Sequence, residues 1–73
     1  MKDYSGRQAH VGDRVRLWTG YNGSVVCSLD DGHFSEDFPA SDWRYLDSGI
    51  LIRADDGALF HYGEPDEDFE VLA

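Results

Sequence analysis

The segment Glu64-Pro65-Asp66-Glu67-Asp68-Phe69-Glu70 places five carboxylates within seven residues, and Pro65 holds the start of the run in an extended or turn geometry because its ring fixes φ. Carboxylates spaced along a rigid surface present a row of negative charge comparable to the phosphates of a nucleic acid, so the run is the first candidate contact for a basic protein partner. Asp30, Asp31, Glu36, Asp37, Asp55 and Asp56 extend the row if the fold brings them alongside. A solvated acidic loop with no partner is the competing reading of the same residues. Aromatic residues are the second signal. Trp18, Tyr21, Trp43, Tyr45 and Tyr62 exceed what a thin core needs, and tryptophan and tyrosine are favoured anchors at protein interfaces.

Other chemistries find less support. Asp30-Asp31-Gly32 and Asp66-Glu67-Asp68 lack the alternating ligands and terminal glutamate of a calcium loop. His10, His33 and His61 lie on three separate segments without metal-ligand spacing, and the single Cys27 cannot form an internal disulfide or a multi-cysteine zinc site. Among Val25, Val26 and Leu29, Cys27 reads as a small buried hydrophobe. No nucleophile elbow, phosphate loop or dinucleotide fingerprint is present. The expectation is a protein that is not an enzyme and carries no metal or cofactor.

The elements that must position these side chains belong to a chain of 73 residues, 41% hydrophobic, with a net charge of −9. A chain of this length has room for one domain, read as an N-terminal arm over 1–10 and a folded body over 11–72, stable by only about 3–5 kcal/mol. The charge is uneven. Residues 1–29 hold four basic side chains against two acids, and residues 30–73 hold two against thirteen. That balance repels nucleic acid and anionic lipid, so direct nucleic-acid or membrane binding is disfavoured and a basic protein surface is favoured. Met1 to Gly6 lack a signal-peptide core and no run approaches the roughly 18 apolar residues of a membrane span, which predicts a cytoplasmic protein.

Short apolar runs between glycine and aspartate turns, with no window of helical period, predict an all-β fold of about five strands. Arg14 to Thr19 puts Val15 and Leu17 on one face, with Arg14, Arg16 and Trp18 on the other. A turn over Gly20-Tyr21-Asn22-Gly23 leads to Ser24–Asp30, with Val25, Cys27 and Leu29 on one face. Gly49–Ala54 and Ala58–Tyr62 flank Asp55-Asp56-Gly57, a three-residue hairpin loop with glycine at its left-handed position. The implied register sets Ala54 opposite Ala58, Ile52 opposite Phe60 and Ile50 opposite Tyr62 on the core side, with Arg53 opposite Leu59 and Leu51 opposite His61 on the other. Phe69–Leu72 supplies a last strand with Phe69 and Val71 on one face. Between the hairpins, 38–46 forms one helical turn or a short strand; folded over the sheet, the 33–47 insert buries Trp18 and Trp43, and otherwise one or two rings stay exposed.

Such strands curl into a small barrel or a strongly twisted antiparallel sheet. Val11-Gly12-Asp13-Arg14-Val15-Arg16-Leu17, followed by Gly20 and Gly23-Ser24-Val25-Val26, resembles the opening of SH3-like barrels of the KOW and Tudor type, in which a Gly-Asp pair precedes the first strand. The match spans about the first third of the chain, which departs from KOW domains, mostly servants of ribosomes and transcription complexes, in its acidity and its 33–47 insert. In size and charge the chain is also similar to phage-encoded inhibitors of bacterial defence systems such as anti-CRISPR proteins. These features together predict an acidic module or inhibitor that docks on a basic surface of another protein, as a nucleic-acid mimic in the sharpest form. A housekeeping SH3-like domain in a larger assembly or homo-oligomer is the alternative, and small-ligand or metal binding the third.

Overall fold

Glycine and aspartate turns cut the chain into short extended runs, and the computed structural model, which describes residues 1–72, pairs them into one antiparallel sheet of six strands. Only Ala73 of the 1–73 domain lies outside the described residues. The strands are β1 (Arg14–Trp18), β2 (Tyr21–Ser28), β3 (His33–Phe34), β4 (Ile50–Ala54), β5 (Leu59–Tyr62) and β6 (Glu70–Val71). Their order is β5-β4-β2-β1-β6, with β3 also on β2. The eight-residue β2 makes this possible: β4 runs along one side of it, and β1 and then β3 share the other. The sheet does not close, and β5 and β6 remain as edges. Among the described residues no helix is long and apolar enough to cross a membrane.

The β4–β5 hairpin has the register expected of it, with Ile50 opposite Tyr62, Leu51 opposite His61, Ile52 opposite Phe60 and Arg53 opposite Leu59. Ile50 and Ile52 join Ala9, Val15, Leu17, Val25, Phe69 and Val71 in the core, and Met1, Tyr21, Phe60 and Tyr62 pack against it. Fully burying each of the larger members contributes about 1.5–3 kcal/mol before ordering entropy is subtracted.

Two bulges change the faces that strict alternation predicts. Between Arg16 and Trp18 the β1–β2 register shifts, so Trp18 lies opposite Tyr21. Trp18 therefore stacks on a ring that packs against the core and does not stay on the outer face with Arg14 and Arg16. The connecting turn is also tighter than expected, because Tyr21 already belongs to β2. Between Val25 and Cys27 the β2–β4 register shifts again: Val25 meets Ile52, but Cys27 meets Leu51. An extra residue on one strand reverses the facing of all that follow it. Cys27 is accordingly buried outside the main core cluster, and Ser28, which follows it, is fully buried as well.

Of the two alternatives for 38–46, the helical one is realised. Pro39, with φ −73°, precedes an α-turn over Ala40–Trp43 (α1), which tightens into a 3₁₀ turn over Arg44–Leu46. Pro39 is the N-cap, in extended geometry with ψ 156°, and its missing N–H is not needed by the helix that follows. The segment ends where Ser48 N–H donates to the Leu46 carbonyl across Asp47, which has φ 68°.

Residues 1–10 are a folded loop sewn to the sheet. Lys2 bridges to Gln8, the Ala9 N–H donates to the Met1 carbonyl, and Ala9 is fully buried. Its centre is Asp3, only 5% exposed. Asp3 Oδ1 accepts from the Ser5 N–H, the Ser5 hydroxyl and the Arg7 N–H, and Oδ2 accepts from the Val71 N–H of β6. Arg7 returns the tie by donating to the Val71 carbonyl at 3.1 Å.

Candidate protein-binding surface

The acidic run begins just after β5 and ends in β6. Phe69 pins it from below: this ring is buried and packs 5.6 Å from Tyr62. Within the run, Asp66 Oδ1 accepts the Asp68 N–H and the Asp66 carbonyl accepts the Phe69 N–H, so the loop has a defined local turn. Glu64, Glu67 and Asp68 are exposed, and their carboxylates make no hydrogen bond or ion pair among the described residues. Glu70 is half-buried and lies 3.6 Å from Arg16. The same arginine donates through Nε to the Asp68 carbonyl at 3.3 Å. Arg16, Glu67 and Glu70 line one shallow cleft with Asp3, Tyr4, Ser5 and Phe69, about 190 Å³ in volume.

The other acids hold different positions. Asp55 makes a two-pronged contact with Arg14, both distances 2.8 Å, and this hydrogen-bonded guanidinium lowers its pKa. Asp56 accepts the Ala58 N–H and the Tyr21 hydroxyl, which lower its pKa in that order. Asp30 accepts the Gly49 N–H and Asp31 the Ser28 hydroxyl. Glu36 and Asp37 are exposed between β3 and α1. The fold thus separates the sequence row into three groups: turn carboxylates that hold the hairpins, an exposed pair before α1, and the run after β5.

Aromatic side chains form two separate clusters. Trp18 and Tyr21 stack with centroids 4.4 Å apart and planes 16° apart, and Phe60 meets both edge-on at 5.7 and 5.8 Å. Trp18 stays 43% exposed. Burial, with the Asp56 contact second, raises the Tyr21 hydroxyl pKa. In the second cluster Trp43 packs between Phe38, at 5.7 Å, and Tyr45, at 6.4 Å, while Arg44 sits over Phe34. Tyr45 is 71% exposed. The insert therefore does not cover Trp18.

Comparison with protein families, curated proteins and solved structures finds no match.

The chemistry of the surface thus rests on the side chains themselves. Phe60 belongs to the aromatic group, although the sequence nominated only Trp18 and Tyr21 from it; its place in the hairpin register was readable, but its meeting with Trp18 depends on the β1 bulge. Arg14 and Arg16 are the other additions, neutralising Asp55 and facing Glu70. Burial raises the pKa of the Cys27 thiol, opposed by the Ser35 N–H, and the thiol donates to the Phe38 carbonyl at 3.2 Å. This is a protonated, covered thiol that ties β2 to the insert. His10 lies 3.5 Å from Asp13, His33 is in β3, and His61 Nε2 contacts the Ser48 carbonyl at 2.8 Å.

Proposed function

We propose that the chain is a protein-binding module that docks on a basic surface of another protein and, in its sharpest form, occupies the groove in which a nucleic-acid-binding protein holds its nucleic acid. The observation that carries this reading is an acidic run held by a defined turn, whose Glu64, Glu67 and Asp68 carboxylates are exposed and have no partner among the described residues. Arg16 ties the end of that run to β1 through the Asp68 carbonyl, and the exposed Trp18 lies on the same sheet. Carboxylates with no internal partner then steer a basic partner, and the Trp18–Tyr21 stack supplies apolar and cation–π contact for residence. The net charge of −9 favours the same class of partner at long range. The Gly12-Asp13 pair ahead of β1 supports, as part of the proposal, a relationship to SH3-like barrels whose nucleic-acid-facing chemistry is here replaced by acids.

Reversing Glu64, Glu67 and Asp68 to lysine tests the reading, because these side chains support no internal contact and the variant should fold normally. Captured partner is expected to fall on the order of tenfold at low salt. Unchanged capture by a folded variant would remove the acidic run from the function.

A further inference from the structure

The strand β5 presents an unpaired backbone edge between the Asp56 carboxylate and the acidic run. Its inner side is satisfied by β4. In an antiparallel ladder alternate residues turn both backbone groups toward the partner strand. The Ala54 N–H donates to the Ala58 carbonyl, so Ala58, Phe60 and Tyr62 form the inward set, and Leu59 and His61 turn their N–H and C=O groups outward. Among the described residues no loop backbone group bonds to the N–H or C=O of Leu59 or His61; the one loop contact here, Ser48 carbonyl to His61 Nε2, is to the side chain, and both residues are exposed, Leu59 by 43%. Natural sheets commonly guard such edges with proline or charge within the strand. Leu59-Phe60-His61-Tyr62 has neither proline nor a carboxylate or lysine.

Charge lies at the ends of this strand instead. Asp56 stands before it, exposed, in the hairpin turn. After it come Glu64, Asp66, Glu67 and Asp68, and the charges of Asp66 and Asp68 reach Tyr62 closely enough to raise its hydroxyl pKa, behind burial as the larger cause. The Trp18–Tyr21–Phe60 rings flank the Asp56 end. We infer that β5 accepts an extended segment of the partner as an added strand, with basic residues at both ends of that segment and an alternating, uncharged centre. Main-chain hydrogen bonds to Leu59 and His61 provide affinity, and the flanking acids select basic ends. With about 3.3 Å per residue, a segment of roughly seven residues spans the distance between the two charged groups. A second copy of this chain is the poorer occupant, because its edge would bring the same acids against themselves.

The inference rests on the proposed docking to a basic protein and specifies which backbone makes it. Its test uses the whole chain and a blocked synthetic peptide with Lys-Arg at each end of a Val-Thr-Val-Thr centre, beside the same peptide N-methylated at alternate central residues. The unmodified peptide is expected to bind, to slow exchange of the Leu59 and His61 amides on the order of tenfold or more, and to lose on the order of tenfold in affinity on N-methylation. Leu59→Pro, which removes an outward N–H and leaves the β4 ladder intact, is expected to match that loss while keeping the native circular dichroism. Equal, salt-sensitive binding of both peptides would overturn strand addition and leave the acidic docking reading standing. No binding of either peptide, or self-association of the chain through these amides, would overturn strand addition as well; charge reversal at Glu64, Glu67 and Asp68 tests the docking reading separately.

Discussion

Asp3→Asn is expected to lose most of the stability of the fold at neutral pH, seen as a urea midpoint reduced to about half or less of the original. The physical reason is donor geometry. Four donors converge on the two oxygens of a carboxylate only 5% exposed. An asparagine keeps one acceptor and sets its NH₂ against a donor, either the Val71 N–H or the three donors at Oδ1. An unpaired buried N–H costs about 1–3 kcal/mol, and loss of the charge-assisted bonds adds to that. Against a total near 3–5 kcal/mol, such a loss is decisive. A variant as stable as the parent would show that the first ten residues do not hold β6.

The same carboxylate gives the fold an acid limb. Burial is the largest influence on Asp3 and raises its pKa, but the Val71 N–H, the Ser5 hydroxyl and the Arg7 and Ser5 N–H groups together outweigh it and bring the value to about 2, from 3.8 when unfolded. A folded-state pKa below the unfolded one stabilises the fold above the unfolded value. That contribution, about 2 kcal/mol, is lost as pH falls from about 4 through about 2. The difference in stability between the parent and Asp3→Asn should therefore narrow across this window, as read by urea titrations at a series of pH values. A difference that stays constant from pH 7 to pH 2 would contradict the assignment.

Gly49→Ala is expected to abolish folding. Gly49 has φ +90°, and a Cβ there would fall within contact distance of the Tyr62 carbonyl and of Gly63 Cα, both backbone. The Gly49 N–H also donates to Asp30, and its carbonyl accepts from Leu29. Neither side can retreat, since one belongs to the β4–β5 ladder and the other to the turn leaving β2. Gly57 is the internal control: its φ is +94°, but a Cβ would meet nothing within 4 Å. Gly57→Ala should cost only the left-handed penalty, about 1–2 kcal/mol, and stay folded. Circular dichroism of the pair separates steric overlap from backbone preference. Equal losses in the two variants would refute the close approach at Gly49.

The contrast between these positions shows what was legible in the sequence. Asp55-Asp56-Gly57 and the alternation beside it fixed the β4–β5 register because every determinant lies within fourteen residues. Val15, Leu17, Phe69 and Val71 were readable as core on the same grounds. The bulges at Leu17 and Val26 were not, since nothing in Arg-Leu-Trp or Val-Val-Cys differs from regular strand. They relocate Trp18 and Cys27 because tertiary pairing chooses where the extra residue goes. Asp3 was invisible for a related reason: its deciding donor is 68 residues away. The acidic run was plain as composition. That Asp55 and Asp56 serve Arg14 and Tyr21 while Glu64, Glu67 and Asp68 serve no internal partner required the assembled sheet.

The proposal that the chain docks on a basic, nucleic-acid-binding protein is tested most directly by capture on the tagged chain from native host lysate, eluted either by salt or by duplex DNA. The expected result is a nucleic-acid-binding protein retained at low salt, shed as salt shortens the Debye length from about 10 Å toward 3 Å, and displaced by DNA at constant salt, because screening and competition act on the same basic groove. A partner indifferent to both salt and DNA would contradict docking through the acidic surface, and so would a bait that captures nothing.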